Sequence, residues 1–352
     1  MFSRPPCLNN TIKALSKSAR TSTRSRAPSA YFYDTAHERV FSTPSSHLLS
    51  RRIVSKFHPS TSRKFTTTTL KMTASAAEKK DWSANQYLKF NTERTRAVYD
   101  LVSQVTPLVS SSTPRIYDLG CGPGNSTQVL QAAFPSAKIT GMDSSPDMLT
   151  KARATLPGVD FITGDLSTFE VEKDADLLFS NAVFHWLRTP SRIDTLVRLF
   201  SRLRPGAVLA IQVPDNYHEH SHALMRTTAH LPDKPYTQCF SSTRIGDVSD
   251  ATRPDLDPIE LPSAFYNALI PHAASVNLWR TNYQHVLPDA GAIVEWVKGT
   301  GLQPYLHCMG GDEDAKRAFL EEYERGVGEK YPKLGDGKVL LGYPRLFVVA
   351  VR

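Results

Sequence analysis

The segment Arg115-Ile-Tyr-Asp-Leu-Gly-Cys-Gly-Pro-Gly-Asn-Ser126 constrains this chain more than any other. An apolar run of strand length carries an acid, Asp118, and passes into glycines at alternate positions, Gly120, Gly122 and Gly124. A helical pattern follows over Asn125 to Phe134. Glycines at such a junction let the backbone turn sharply and let a ligand approach without a Cβ in the way. Strand, turn and helix in this order open an α/β unit, in which ligands sit beyond the carboxyl ends of the strands, where the strand order reverses.

The chain keeps alternating after this opening. Strands are expected at 138–143, 159–165, 175–181 and 208–213, separated by helices at 146–156 and 191–203. A leading helix is expected over 93–105 from the spacing of Ala97, Val98, Leu101, Val102 and Val105. Alternation at this spacing predicts an α/β fold with a doubly wound, mostly parallel sheet covered by helices on both faces. It stops after Pro214. Residues 215–272 read as an inserted cap of helices and loops, with 232–262 its least ordered part. Strands return at 274–287 and 338–351, around a helix at 312–330, which makes seven strands in all.

The nicotinamide fingerprint is G-x-G-x-x-G, which seats a pyrophosphate on a helix terminus. The spacing here is G-x-G-x-G after an acid, the form used by S-adenosylmethionine enzymes, and it makes Asp118, Gly120, Cys121, Gly122 and Gly124 the expected cofactor loop. Three further strand ends carry suitable groups. Asp143 can accept from ribose hydroxyls. Asp165, in Thr-Gly-Asp-Leu166, can accept from an adenine amine. Asn181 leads into Ala-Val-Phe-His185-Trp186, which is expected to face the methyl donor and the substrate. Each group alone has a plainer explanation; an acid at a strand end commonly caps the next helix. The right group at successive strand ends is what carries the reading.

Motifs outside this loop extend the match. Asp81-Trp82, Tyr87-Leu-Lys-Phe90 and Glu93-Arg94 open the domain. Gln212-Val-Pro-Asp-Asn216, Leu278-Trp-Arg-Thr-Asn-Tyr-Gln-His285, Ile293 to Leu302 and Tyr343-Pro-Arg345-Leu-Phe347 follow. In order and spacing, residues 81–352 resemble the trans-aconitate methyltransferases, within the class I S-adenosylmethionine-dependent superfamily. The resemblance implies a seven-stranded sheet with an antiparallel last strand. It also implies transfer of a methyl group to a carboxylate of a small polycarboxylic acid, with S-adenosylmethionine as cofactor. A carboxylate of pKa near ~4 is already ionised at neutral pH, so no general base is required, and His185 and Trp186 would only align it. The spectator carboxylates need cationic and hydrogen-bonding partners, for which Arg280, Tyr283, His285, Tyr343 and Arg345 are the candidates. Trp82, Tyr87 and Arg94 could close over the cofactor, with Arg94 or Arg96 near a carboxylate.

Composition bears mainly on the N-terminus. Residues 1–71 hold 13 Lys or Arg but only Asp34 and Glu38 as acids; of the chain's 42 basic and 34 acidic residues, 29 and 32 remain beyond it. The net charge of +8 therefore belongs to this segment and is no argument for nucleic-acid binding. Such a composition fits a disordered mitochondrial transit segment, and Met72 offers a second start, so a matrix or a cytoplasmic location is expected. The cysteines Cys7, Cys121, Cys239 and Cys308 form no CxxC pair, so neither a metal site nor a disulfide framework is expected. No apolar run approaches the ~20 residues that span a bilayer. A monomer without membrane insertion is expected. The competing readings are a mitochondrial methyltransferase acting on a protein or quinone, and a non-catalytic assembly factor.

Overall fold

The computed structural model describes residues 90–189 and 191–352, apart from the side chains of residues 91 and 92. These residues fall in one unit, Ser75–Arg352. The transit-like segment 1–71, Trp82 and Tyr87 lie outside the described residues.

Strands β1 (Arg115–Leu119), β4 (Leu177–Asn181) and β5 (Val208–Pro214) are buried along almost their whole length. That burial goes with their unbroken apolar runs, since strands covered on both faces need no polar alternation. Strands β2 (Lys138–Asp143), β3 (Asp160–Thr163), β6 (Ser275–Leu287) and β7 (Val339–Val351) complete one sheet in the order β3-β2-β1-β4-β5-β7-β6. The pairs within β1 to β5 are parallel, and β7 runs antiparallel to both β5 and β6. This is the class I methyltransferase sheet. Its order reverses between β1 and β4, which opens a crevice at their carboxyl ends.

Helix α1 (Asn91–Val105) buries Ala97, Val98, Leu101, Val102 and Val105 against the sheet. Helix α2 (Asn125–Ala133) starts from Gly124, and α3 (Pro146–Thr155) starts from Ser145, whose Oγ accepts from Met148 N at 3.2 Å. Helix α4 (Ser191–Ser201) covers the other face through Leu196, Leu199 and Phe200.

The stretch 215–272 divides. Helices α5 (His220–Ala229) and α6 (Thr237–Phe240) leave the sheet, whereas α7 (Pro262–Leu269) returns and buries Phe265 and Leu269 in the main core. A second apolar cluster joins Met225, Tyr236 and Phe240 to helices α8 (Ala290–Lys298), α9 (Gln303–Cys308) and α10 (Glu313–Lys330) through Trp296, Tyr305 and Phe319. The sequence reading had α10 but gave no element to α8 or α9. Residues 232–262, read as the least ordered part, hold only α6 before α7 begins, and within them the buried Arg253, 2% exposed, pairs with Asp255 and Asp257.

Candidate active site

A cavity of about 380 Å³ opens at the carboxyl ends of β1, β2, β4 and β5. Its floor is the glycine loop. The N–H groups of Gly120 and Cys121 donate to the Met142 carbonyl at 2.7 and 3.0 Å, tying the turn to β2. Gly120 has φ +71°, and a Cβ there would lie 2.3 Å from Val183 Cγ2. Glycine here lets the loops after β1 and β4 touch. Gly122 has φ +55°, and a Cβ there would meet nothing within 4 Å, because the position faces the cavity.

Asp143 lines the same wall. Its Oδ2 accepts from Gly122 N at 2.9 Å and its Oδ1 from Ser145 N at 2.9 Å. The acid therefore braces the loop and starts the turn into α3. A carboxylate has about four lone-pair sites, so it keeps capacity for ligand hydroxyls. Asp165, braced by Ser167 N at 2.8 Å, Leu166 and Asn181 also line the cavity. Asn181 Oδ1 is a buried acceptor that no donor among the described residues satisfies.

Three residues expected to hold the cofactor turn away from the main cavity. Asp118 is fully buried beneath the loop, where its Oδ2 accepts from Ser126 Oγ at 2.7 Å and Thr127 Oγ1 at 2.6 Å. Burial pushes its carboxyl up to about 6, against the two hydroxyls that lower it. Cys121 sits in a small core with Leu149, Ala152, Leu156 and Phe161, and burial pushes its thiol far up. Gly124 (φ +97°) lets α2 approach Ala152 and Leu156 of the α3 region. These residues shape the loop from behind, while Gly122 faces the cavity.

The rest of the cavity wall comes from β7, α8 and the turn after β4. Ala182 has φ +58° and leads into a short 3-10 turn, Phe184–Trp186. Val183, His185, Trp186 and Leu187 line the cavity from it. Burial first, then the charges of Arg192 and Arg345, hold His185 well below its usual pKa, so the imidazole is neutral. Tyr343 and Arg345 reach the cavity from β7. Arg345 is 4% exposed, donates to Gln212 Oε1 at 2.8 Å, and lies 5.2 Å from the Tyr343 ring centroid.

The other substrate candidates are corrected by the fold. Arg280 falls on the opposite face of β6 from Tyr283 and pairs with Asp215 at 2.8 Å, outside the cavity. Tyr283 is buried under α1, its hydroxyl 2.5 Å from Asp100 Oδ2. His285 is buried against Trp296, with ring centroids 4.6 Å apart; burial, with Arg345 and Arg96, lowers its pKa to about 4. Neither lines the cavity. Arg94 does, 6% exposed and donating to the Trp296 carbonyl at 2.8 Å, whereas Arg96 lies over the Tyr283 ring. Sequence reasoning missed Pro214, Trp296 and Thr300, which also line it. The motif Ile293 to Leu302 was visible, but nothing in it tells which side of α8 meets the cavity.

Residues 116–206, from β1 into the segment before β5, match the family described as a methyltransferase domain. A trans-aconitate 2-methyltransferase of Rhizobium rhizogenes is 46% identical over 271 residues, 77% of this chain and 99% of the relative. Those of Rhizobium leguminosarum (47% over 272 residues) and an Azoarcus species (45% over 271) cover the same shares. The chain belongs to the trans-aconitate 2-methyltransferase family. It is an S-adenosylmethionine-dependent methyltransferase, and its match spans the whole length of these relatives, well beyond the cofactor loop. As a trans-aconitate 2-methyltransferase family member, the chain fits its cofactor. Gly122 leaves open space where a side chain would stand, Asp143 lines the cavity at the end of β2 as a carboxylate acceptor, and Asn181 offers an unsatisfied buried acceptor. Among the described residues no helix is long and apolar enough to cross a membrane.

Proposed function

We propose that the protein esterifies one carboxylate of trans-aconitate, or of a closely related small polycarboxylate, giving the monomethyl ester. The cavity carries both signs of charge: Asp143 and Asp165 line it with the glycine loop, Arg345 lines it from β7, and Arg94 lines it while also meeting the glycine loop. The observation that carries the reading is the buried guanidinium of Arg345 on the cavity wall, oriented by Gln212. A buried guanidinium suits a planar carboxylate, which accepts from its fork of donors.

When bound, S-adenosylmethionine would supply an electrophilic methyl group, and Gly120, Gly122, Asp143, Asp165, Leu166 and Asn181 would hold it. Arg345, Tyr343 and Arg94 take the carboxylates that do not react, so the third is presented towards the His185-Trp186 turn. His185, neutral at physiological pH, offers a hydrogen bond without competing as a cation for the substrate. The nucleophile has no proton to lose near pH 7, so alignment rather than base catalysis is the chain's contribution, worth up to ~7–11 kcal/mol. The extra-sheet helices of 215–272, with 290–330, form a cap over the substrate.

Incubation with S-adenosylmethionine and a panel of trans-aconitate, cis-aconitate, isocitrate and citrate, read by mass spectrometry, tests this. A mass gain of one methyl on trans-aconitate is expected, and none on any acid would sink the reading. Methylation of protein or quinone substrates instead would favour the mitochondrial alternative; near-full-length similarity to one family of small-acid enzymes argues against it. We read residues 1–71 as a mitochondrial address from their basic, acid-poor composition, with Met72 starting a cytoplasmic form. A reporter fused to 1–71 is expected to enter mitochondria, and a diffuse signal would overturn that. Light scattering is expected to find a monomer.

A further inference from the structure

We propose that Arg192 is a positioning residue for methyl transfer, clamping the His185-Trp186 turn to the polar segment 253–260. The inference rests on the reading that this turn faces the reacting groups.

The side chain of Arg192 is completely buried. Its Nε donates to the Phe184 carbonyl at 3.1 Å and one terminal nitrogen to the Leu187 carbonyl at 2.9 Å. Those carbonyls bracket the turn that carries His185 and Trp186 into the cavity. The remaining nitrogen donates to the Pro258 carbonyl at 3.1 Å and pairs with Glu260. One rigid planar group thus fixes both ends of the turn and ties them to a segment more than sixty residues away in sequence.

The neighbours repeat the connection. Arg188 donates to the carbonyls of Arg253 and Asp255 and to Asp257 Oδ1 at 3.1 Å. Thr189 N donates to Asp257 Oδ2 at 2.6 Å. Arg253, itself buried, pairs with Asp257. The same segment reaches His185 from its far side: a small cavity of about 30 Å³ is lined by His185, Asp255, Leu256 and Asp257 together.

Stability alone accounts poorly for this arrangement. Buried ion pairs are often matched or bettered in stability by apolar side chains of similar volume. Geometry accounts for it better. Ala182, at the entry of the turn, holds a left-handed φ of +58° without being glycine, a conformation that persists only where the surroundings over-determine it. The clamp holds the exit. An in-line displacement is sensitive to such placement, because a misplacement of about 1 Å can cost roughly a hundredfold.

The test compares Arg192→Met, which keeps the volume and removes every donor, with Arg192→Lys, which keeps the charge and loses the fork. In full-length protein shown to be folded by circular dichroism, both are expected to lower kcat on trans-aconitate roughly ten- to a hundredfold. The KM and the dissociation constant for S-adenosylhomocysteine should hardly move. Without substrate, acrylamide quenching of Trp186, taken as the difference from Trp186→Phe, should rise. A cycle with Trp186→Ala adds a readout that a purely structural role would not move. If Arg192 acts through the turn, the double variant is no slower than Trp186→Ala alone. Should Arg192→Met fail to fold, Glu260→Gln, which loosens the clamp from its partly exposed end, is expected to lower kcat severalfold with the same quenching change. Unchanged kcat and quenching in the folded variants would overturn the proposal alone. A Trp186→Ala variant with full activity would overturn the site reading and the proposal with it.

Discussion

At Arg345 the desolvation of a cation has been met within the fold, by Gln212 on one side and the Tyr343 ring on the other, before any substrate arrives. Arg345→Ala should therefore act on substrate binding. Losing a charged hydrogen-bond partner costs ~1.5–3 kcal/mol, so KM for trans-aconitate is expected to rise roughly ten- to a hundredfold while cofactor affinity stays put. Arg345→Lys should recover part of the loss, because it restores a charge but not the planar pair of donors. Steady-state kinetics against both substrates would show it; equal losses for the acid and for an analogue esterified at its spectator carboxylates would make Arg345 structural. In the glycine loop, Gly122→Val fills open space and forces a branched residue to φ +55°. Calorimetry should find S-adenosylhomocysteine binding abolished in a protein that still folds.

The glycine loop as an element carries its own titration. The Asp118 carboxyl is raised from 3.8 to about 6, mainly by burial. An acid with a raised folded pKa binds its proton more tightly in the native state. Its contribution to stability is therefore complete below about pH 4 and lost as pH rises through about 6. Two pH units of difference correspond to about 3 kcal/mol. Asp118→Asn mimics the protonated acid and can still meet the hydroxyls of Ser126 and Thr127. Its stability relative to the parent is expected to rise by about that amount between pH 4 and 7, measured by urea unfolding. A constant difference across that range would show that Asp118 does not titrate there. The β6–β7 ribbon is the other instructive element. Its register sets Tyr283 opposite Tyr343 and Thr281 opposite Arg345. Alternation along each strand was readable beforehand; which end of the common face meets the cavity and which meets α1 was not.

For the whole molecule, the buried histidines set the acid limb of stability. Burial lowers His285 to about 4 and His222 to about 3, and His185 is lowered well below 6.5. A histidine with a depressed folded pKa contributes stability that is present above its unfolded value near ~6.5 and lost as pH falls through the folded value. Acidification below about 6.5 should therefore destabilise the fold, with His285 alone contributing about 3 kcal/mol by pH 4. His285→Phe, which keeps the ring against Trp296, is expected to flatten that limb. An unchanged slope would mean that His285 titrates alike in the folded and unfolded protein. His285 lies off the cavity and stays neutral until the pH nears 4, so it gives substrate binding no pH handle. KM for the acid should instead respond to salt, since the arginines lining the cavity attract an anion over the ~8–10 Å that ions screen.

The sequence by itself determined the fold class, the cofactor and the family. Those depend on patterns that are local along the chain: apolar runs of strand length, glycines at alternate positions, and an acid or amide at each strand end. Local patterns survive reading because the backbone period alone decides which residues share a face. The tertiary structure decided which of the candidates meet at the site. Arg280 and Arg345 look equivalent as alternating strand residues, yet one pairs with Asp215 and the other lines the cavity. Asp118 and Asp143 are both acids of strands beside the loop, yet one is buried behind it and the other lines its front. Arg94, Trp296 and Thr300 arrive from α1 and the α8 region, and the Arg192 clamp joins segments far apart in sequence. These are contacts between distant segments, fixed by how helices cover the sheet and how the 215–272 and 290–330 stretches pack on each other. No periodicity along the chain encodes that packing, because it depends on the shapes of both partners at once.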